Sequence, residues 1–450
     1  MSRWGSFLLL MFLASVPEGM VHPISWNLTA SAVFAILALE LRARASSANL
    51  GNFQYVPFPE PFIKARLPLF LIWAVQFWAL VQLVLYSLSP FDSLMSLSKG
   101  IMYAGLFTLT LLLVDSRERV KQLIWVIIGI ASFQALYGAV MVLTGLEYGF
   151  FAEKQFYREK ATGTFVNRNH LAGFLELALA LGIGLLLAQP TRYYGSTRQK
   201  LRQFIEMMLS KKVILRLLLA VLVIALVLTR SRMGNTAFFA SLMVAGALAL
   251  VLMRNKTTAT TILLGSLLVI DIAIVGTFFG VEKVADRIQK TSTQTESRDE
   301  VTRDTLNMFQ QYPVTGIGAG TFTHVFPSMK SEDVSLESLY NNAHNDYAQF
   351  LAEFGLPAFI ALTIIVAWSF WTALVAMRKR NSRFYQGIGF AVTMAIVAIG
   401  VHSTVDFNLQ IPANASLFVV ILALAAVARW APHNSTSGRM RRRTGRKASA

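Results

Sequence analysis

The chain has 450 residues, of which 55% are hydrophobic and only 14% charged, against roughly 25% charged in soluble globular domains. Mean hydropathy is +0.53, and apolar runs of about 20 residues recur along the whole length, each long enough to cross a ~30 Å hydrocarbon core as a helix, so an array of soluble domains is excluded. The 41 Lys and Arg against 24 Asp and Glu leave a net charge of +17, which in a polytopic chain marks cytoplasmic loops rather than a nucleic-acid surface; the lack of cysteine excludes disulfides, thiolate metal ligation and a cysteine nucleophile.

In chain order the apolar runs predict an all-α polytopic membrane protein with about twelve transmembrane helices. They fall at 6–19, 24–41, 67–88, 95–114, 122–144, 170–189, 213–229, 234–253, 258–279, 354–377, 384–405 and 412–430. Twelve spans put both termini on one side. Of the 41 Lys and Arg, 28 fall on the termini and loops of that side, so the positive-inside rule makes the N and C termini cytoplasmic. Arg3, an apolar stretch and Ala14-Ser15-Val16-Pro17 also fit a signal peptide; an uncleaved first span is the preferred reading. Residues 1–279 then hold spans one to nine, 280–353 form a large, partly helical periplasmic loop, 354–432 hold spans ten to twelve, and 433–450 are a disordered basic tail.

Three segments stand out on the predicted outer face: 145–169, the short turn 230–233, and the long stretch 280–353. Long loops with structure of their own are commonly functional. The third is expected to contain two helices. One starts at Ser297 and runs through Phe309, ended by Pro313 and the turn Gly316-Ile317-Gly318-Ala319-Gly320; the other runs from about Ser335 to Phe354 and is stopped by Gly355 and Pro357.

Four places carry chemistry. Thr229-Arg230-Ser231-Arg232 puts two arginines in a very short outer turn, where a charge at bilayer depth costs roughly 2.5–3.5 kcal/mol; they either snorkel to headgroups or form a fixed anion site, since guanidinium forks onto phosphate oxygens. On the expected helix from Tyr340 to Glu353, Tyr340, His344 and Tyr347 share one face and Asn341 and Asn345 lie a turn apart. His344 there suits general acid–base work, unless the helix is interfacial and the histidine only meets water. Thr162 to His170 is a helix entry with caps to which Arg168, Asn169 and His170 add donors and charge. Finally His402-Ser403-Thr404-Val405-Asp406-Phe407 closes the eleventh span, where a structural His402–Asp406 pair is expected. The six histidines (His22, His170, His324, His344, His402 and His433) fit no metal-binding spacing, and Gly316 to Gly320 lacks that of a nucleotide loop. No metal and no cofactor are expected.

Taken in order, the blocks Gly163-Thr164-Phe165, Asn169-His170-Leu171-Ala172-Gly173, Thr229-x-Ser231-Arg232, Ser297-Arg298, Pro313-x-x-Gly316-x-Gly318, Ala343-His344-Asn345-Asp346-Tyr347-x-Gln349 and Glu353-x-Gly355-Leu356 resemble the bacterial O-antigen ligase and O-antigen polymerase superfamily over roughly residues 160–360. The resemblance implies a GT-C-like glycosyltransferase of the inner (cytoplasmic) membrane, active on the periplasmic side without metal or nucleotide. Its donor would be a glycan on undecaprenyl diphosphate. Arg232 and Arg298 match the family's diphosphate-binding arginines, with Arg230 and Arg303 as neighbours. His344 matches the histidine that activates the acceptor hydroxyl for inverting transfer, and Asn341, Asn345, Asp346, Tyr347, Asn169, His170 and Arg168 would support it. The acceptor would be lipid A–core in a ligase, a second lipid-linked repeat in a polymerase, or a protein hydroxyl in a protein O-oligosaccharyltransferase. The span count and the single late loop favour the ligase. A non-enzymatic transporter of the same lipid-linked sugars would instead require a charged cavity at mid-bilayer.

Overall fold

The computed structural model describes residues 2–49, 58–149, 153–188, 211–253, 261, 265, 298–332, 334 and 339–432. Its helices are α1 (Arg3–Ala14), α2 (Pro23–Asn49), α3 (Glu60–Lys64), α4 (Arg66–Leu85), α5 (Pro90–Leu113), α6 (Arg117–Thr144), α7 (Arg168–Leu187), α8 (Lys211–Leu228), α9 (Arg232–Leu252), α10 (Arg298–Gln311), α11 (Phe322–Met329), α12 (Asp346–Lys379), α13 (Arg383–His402) and α14 (Pro412–Trp430). An apolar chain in lipid must satisfy its own backbone groups, and a helix does so within one segment. Among the described residues nine of these helices are long and apolar enough to cross a membrane, so the all-α polytopic class holds. These nine correspond to nine of the twelve expected spans. α1 has only 12 residues, about 18 Å at 1.5 Å per residue, and ends five residues before the predicted span does. α8 fits the predicted 213–229 span but opens with Lys211, Lys212 and Arg216. The predicted 258–279 span lies outside the described residues except for 261 and 265, as do Ser297 and the tail 433–450.

The bundle is built around α7, in which every residue from His170 to Leu187 is buried; α13 and α14 are nearly as enclosed. Lipid offers helices no hydrophobic drive to associate, so small residues set the closest contacts. A Cβ on Gly184 of α7 would lie 2.4 Å from the carbonyl oxygen of Gly387 on α13, and one on Gly387 would lie 2.3 Å from that of Gly184.

α10, α11 and the first turns of α12 form a cap with an apolar core of its own, from Val301, Met308, Ile317, Phe322, Phe326 and Ala352, in which Phe322 and Phe326 stack at 4.8 Å. The cap is joined to the bundle by a glycine joint. α12 does not stop at Gly355 and Pro357 as expected; it bends at Gly355, whose φ of 73° and ψ of 170° belong to a region open essentially to glycine alone. Gly316 faces it with φ +64°. A Cβ on Gly355 would lie 2.2 Å from Val314 O, and one on Gly316 2.3 Å from Glu353 O. Across this contact Ile317 N donates to Ala352 O (2.9 Å), Gly318 N to Glu353 O (3.2 Å) and Leu356 N to Pro313 O (2.9 Å). Gln82 of α4 donates to Thr315 O (2.5 Å) and Glu353 O (2.8 Å). The Pro313-x-x-Gly316-x-Gly318 and Glu353-x-Gly355 blocks therefore hold cap to bundle.

Candidate active site

His344 does not lie on a helix. The predicted helix from Ser335 is overturned for its described N-terminal part: residues 339–345 are irregular and α12 starts at Asp346, with Asn345 as N-cap accepting from Ala348 N at 3.1 Å. The shared face of Tyr340, His344 and Tyr347, and the one-turn spacing of Asn341 and Asn345, therefore do not exist. His344 instead has φ +52°, a left-handed conformation uncommon for a non-glycine side chain. The surroundings over-determine it. Gln349 accepts from Ala343 N at 3.0 Å and donates to Asn342 Oδ1 and Glu353 Oε1, each at 3.1 Å. Asn345 Nδ2 donates to Thr404 O at 3.0 Å, and Thr302 Oγ1 to Ala343 O at 3.5 Å.

The other wall is the turn 403–411 after α13. Asp346 accepts from Ser403 Oγ at 2.7 Å and Leu409 N at 3.1 Å, while its own N–H donates to Ser403 O at 3.0 Å. Tyr347 Oη donates to Gly400 O at 2.7 Å. Phe407 stands between two imidazoles: its ring centroid lies 4.8 Å from that of His344 and 4.7 Å from that of His170, both edge-on. Asp406 is buried and accepts from Asn169 Nδ2 at 2.5 Å and Phe407 N at 2.8 Å, with His170 Nε2 at 3.9 Å. Burial works to raise the Asp406 carboxyl. The His170 and His402 imidazoles, the Phe407 N–H and His344 outweigh it and hold the group below its ordinary value.

His402 does not pair with Asp406 as expected. Its Nδ1 lies 2.9 Å from Glu176 Oε1 of α7, both side chains having no exposure. Asn408 and Asn414 complete the floor: Asn414 Nδ2 donates to His170 O at 3.0 Å and to Asn408 Oδ1 at 2.9 Å.

The predicted arginines separate into two groups. Arg298 Nη1 donates to Val405 O at 3.4 Å, one residue from Asp406, so it borders the turn. Arg303, five residues on and about 140° round the helix at 100° per residue, binds Asp304 Oδ1 at 3.2 Å and Ser331 Oγ at 2.6 Å; the structure does not bring it to the turn. Arg232 is exposed as the first residue of α9, whose N-cap Ser231 accepts from Gly234 N at 3.1 Å. Arg230 precedes it with φ +52°. Arg168 lies over the Tyr157 ring at 5.7 Å. The loop before α7 dips into the bundle, where Thr164 meets Gln134 of α6 through both its N–H and its hydroxyl, at 2.8 Å each.

A cavity of about 510 Å³ runs from Asp346 and Ser403 down between α4, α5, α12, α13 and α14. Its walls are chiefly Phe, Ile, Leu and Val, with Lys99, Gln76, Ser96, Thr363 and Gln410 among the polar exceptions. His344 is packed against Phe407 rather than isolated. Among the described residues no group of three or more His, Cys, Asp or Glu is placed to hold a metal.

Sequence reasoning missed Phe407, Gln349 and Glu176 as parts of this site. The available signal was polarity: Glu176 and Gln134 interrupt otherwise apolar spans, and such residues rarely lack a role.

Residues 217–363 match a family model described as O-antigen ligase. No curated protein matches the chain. The matched stretch includes Arg232, Arg298, the glycine joint and His344, and excludes His170 and the turn 403–411.

Proposed function

We propose that the chain, whose residues 217–363 match a family model described as O-antigen ligase, is a membrane glycosyltransferase of the O-antigen ligase/polymerase superfamily that moves a glycan from undecaprenyl diphosphate to a hydroxyl of lipid A–core at the periplasmic face of the bacterial inner membrane, with both termini cytoplasmic. Residues 280–353 serve as the catalytic loop. The observation that carries the reading is the convergence of His344, His170, Asp406 and Arg298 on the single turn 403–411.

In this mechanism the acceptor oxygen attacks the anomeric carbon as its proton passes to His344. The bond from that carbon to the diphosphate oxygen breaks, and undecaprenyl diphosphate leaves with the electron pair. Attack opposite the leaving group inverts the anomeric centre. Asp406, held anionic, favours the protonated form of the imidazoles grouped around Phe407 and so stabilises the charge His344 acquires. Arg298 and Arg232 neutralise the departing diphosphate. Hydrogen bonds to charged groups contribute about 1.5–3 kcal/mol each, so two arginines lower the barrier by several kcal/mol if they act mainly on the transition state.

Cells carrying His344→Ala in place of the native protein test this by their lipid-linked glycans. Long polymer stranded on undecaprenyl diphosphate, with bare lipid A–core, is the expected result. Single repeats without long chains would assign a polymerase instead, and loss of glycan from a protein alone would assign a protein O-oligosaccharyltransferase. An unchanged profile would overturn the reading.

A further inference from the structure

Beyond the influence of His402 on Asp406, the buried Glu176–His402 pair takes no part in the chemistry above, yet it stands where the two halves of the site meet. Glu176 lies on α7, six residues in from His170. His402 is the last residue of α13. The 2.9 Å contact between Glu176 Oε1 and His402 Nδ1 joins positions 226 residues apart, and neither side chain reaches the surface.

Each partner touches one functional wall. On the Glu176 side, a Cβ added to Gly234 would lie 3.2 Å from Glu176 Oε1, 2.6 Å from Ala172 Cβ and 3.0 Å from Ser231 Oγ. The first turn of α9, with Arg232 at its start, therefore sits directly on the carboxylate, and glycine is the residue that lets it approach. On the His402 side the next residue is Ser403, which both donates to and accepts from Asp346, two positions from His344. The chain of contacts runs Arg232 turn, Gly234, Glu176, His402, Ser403, Asp346, His344.

We propose that Glu176 and His402 are positioning residues for glycosyl transfer: their hydrogen bond fixes the spacing between the Arg232 end of α9 and the His344 end of α12. A polar pair is suited to this because apolar contacts within a membrane bundle are interchangeable in direction, whereas a hydrogen bond specifies distance and angle. The proposal rests on the reading that Arg232 and His344 act on one donor. Misplacement of reacting groups by about 1 Å costs on the order of 10²-fold in rate, so the pair acts on turnover more than on donor binding.

The test uses the full chain in proteoliposomes, with undecaprenyl-diphosphate-linked O-antigen as donor and lipid A–core as acceptor. Initial rates are compared for the native protein, Glu176→Ala, His402→Ala, Glu176→Gln, Gly234→Ala and His344→Ala. The two truncations are expected to lower kcat by about 10²-fold with donor KM little changed. Glu176→Gln, whose amide can accept from or donate to Nδ1, is expected to restore most of kcat. Gly234→Ala, which keeps both side chains of the pair and places a methyl group between the turn and Glu176 Oε1, is expected to lower kcat as well and stands in should the truncations not fold. Native kcat in a folded Glu176→Ala or Gly234→Ala protein would overturn the proposal, as would equal rises in KM and losses of thermal stability with no rescue by Gln. If His344→Ala retains transfer, the underlying reading fails; if it is inactive while Glu176→Ala is fully active, only the positioning role fails.

Discussion

Gln349→Met separates the chemistry of His344 from the scaffold that aims it. Gln349 is buried and makes three hydrogen bonds, to Ala343 N, Asn342 Oδ1 and Glu353 Oε1. Methionine matches its length and fills the same space but cannot replace these bonds. The three partners fare differently. Asn342 is half-buried and can turn to water; Glu353 Oε1 keeps the Phe322 N–H at 3.2 Å; Ala343 has no exposure, and its N–H is left with no acceptor. One orphaned buried donor costs about 1–3 kcal/mol. The segment 342–344 relieves that cost by moving toward water, which carries the left-handed His344 backbone with it. The expected outcome is a thermal midpoint lowered by a few degrees and kcat reduced about 10²-fold at nearly constant donor KM, read from transfer rates in proteoliposomes. Gln349→Glu should do worse, since its carboxylate keeps the Ala343 bond but faces Glu353 Oε1 without a proton to donate. A folded Gln349→Met protein with native kcat would refute the reasoning that this side chain positions His344.

Arg298→Ala should lose roughly 10–100-fold in kcat/KM, the worth of one charged hydrogen bond. Arg298→Lys should not recover it, because a point charge does not reproduce the fork. Arg303→Ala, on the other side of α10, should leave transfer near native and cost at most about 1 kcal/mol in stability; equal losses for both arginines would contradict the separation. Gly355→Ala places a methyl group against the Val314 carbonyl in a conformation open to glycine alone, and the yield of folded monomer on size exclusion should collapse, with Gly316→Ala alike. Asp406 is held below its ordinary value, so its ionisation stabilises the fold fully above the unfolded value of about 3.9 and less as pH falls through the folded one. The thermal midpoint of the native protein should therefore drop more steeply below pH 4 than that of Asp406→Asn; parallel slopes would remove Asp406 as the cause.

What could be read from the sequence was whatever depends on local composition. An apolar run near 20 residues has few alternatives to a membrane helix, and the observed bounds of α4 to α7, α13 and α14 fall within a few residues of those predicted. The errors arose where distant contacts decide the backbone. Residues 335–345 have helical composition, yet the described part is irregular because Gln349, Thr302 and Thr404 claim its polar groups from outside. Gly355 and Pro357 look like a stop, but Gly316, nearly forty residues earlier, turns the break into a bend. His402 and Asp406 are one turn apart and look like a pair, whereas α13 ends at His402 and the chain then reverses, sending Asp406 to Asn169 and leaving His402 for Glu176.

The same distinction runs through the site residues. Arg298 and Arg303 are alike in sequence, each in a polar helix beside the loop, and only the helical angle between them sends one to the turn and the other to Asp304. Glu176 was visible as an acid in an apolar span, which demands a partner, but choosing that partner requires knowing that Gly184 and Gly387 draw α7 and α13 into backbone contact. Once that contact is made, the carboxylate and His402 reach the same depth, and the small residue at Gly234 admits the arginine-bearing turn above them. A site assembled in this way is specified by the close approach of helices as much as by its charged groups, and substituting the glycines should damage it as surely as removing an arginine.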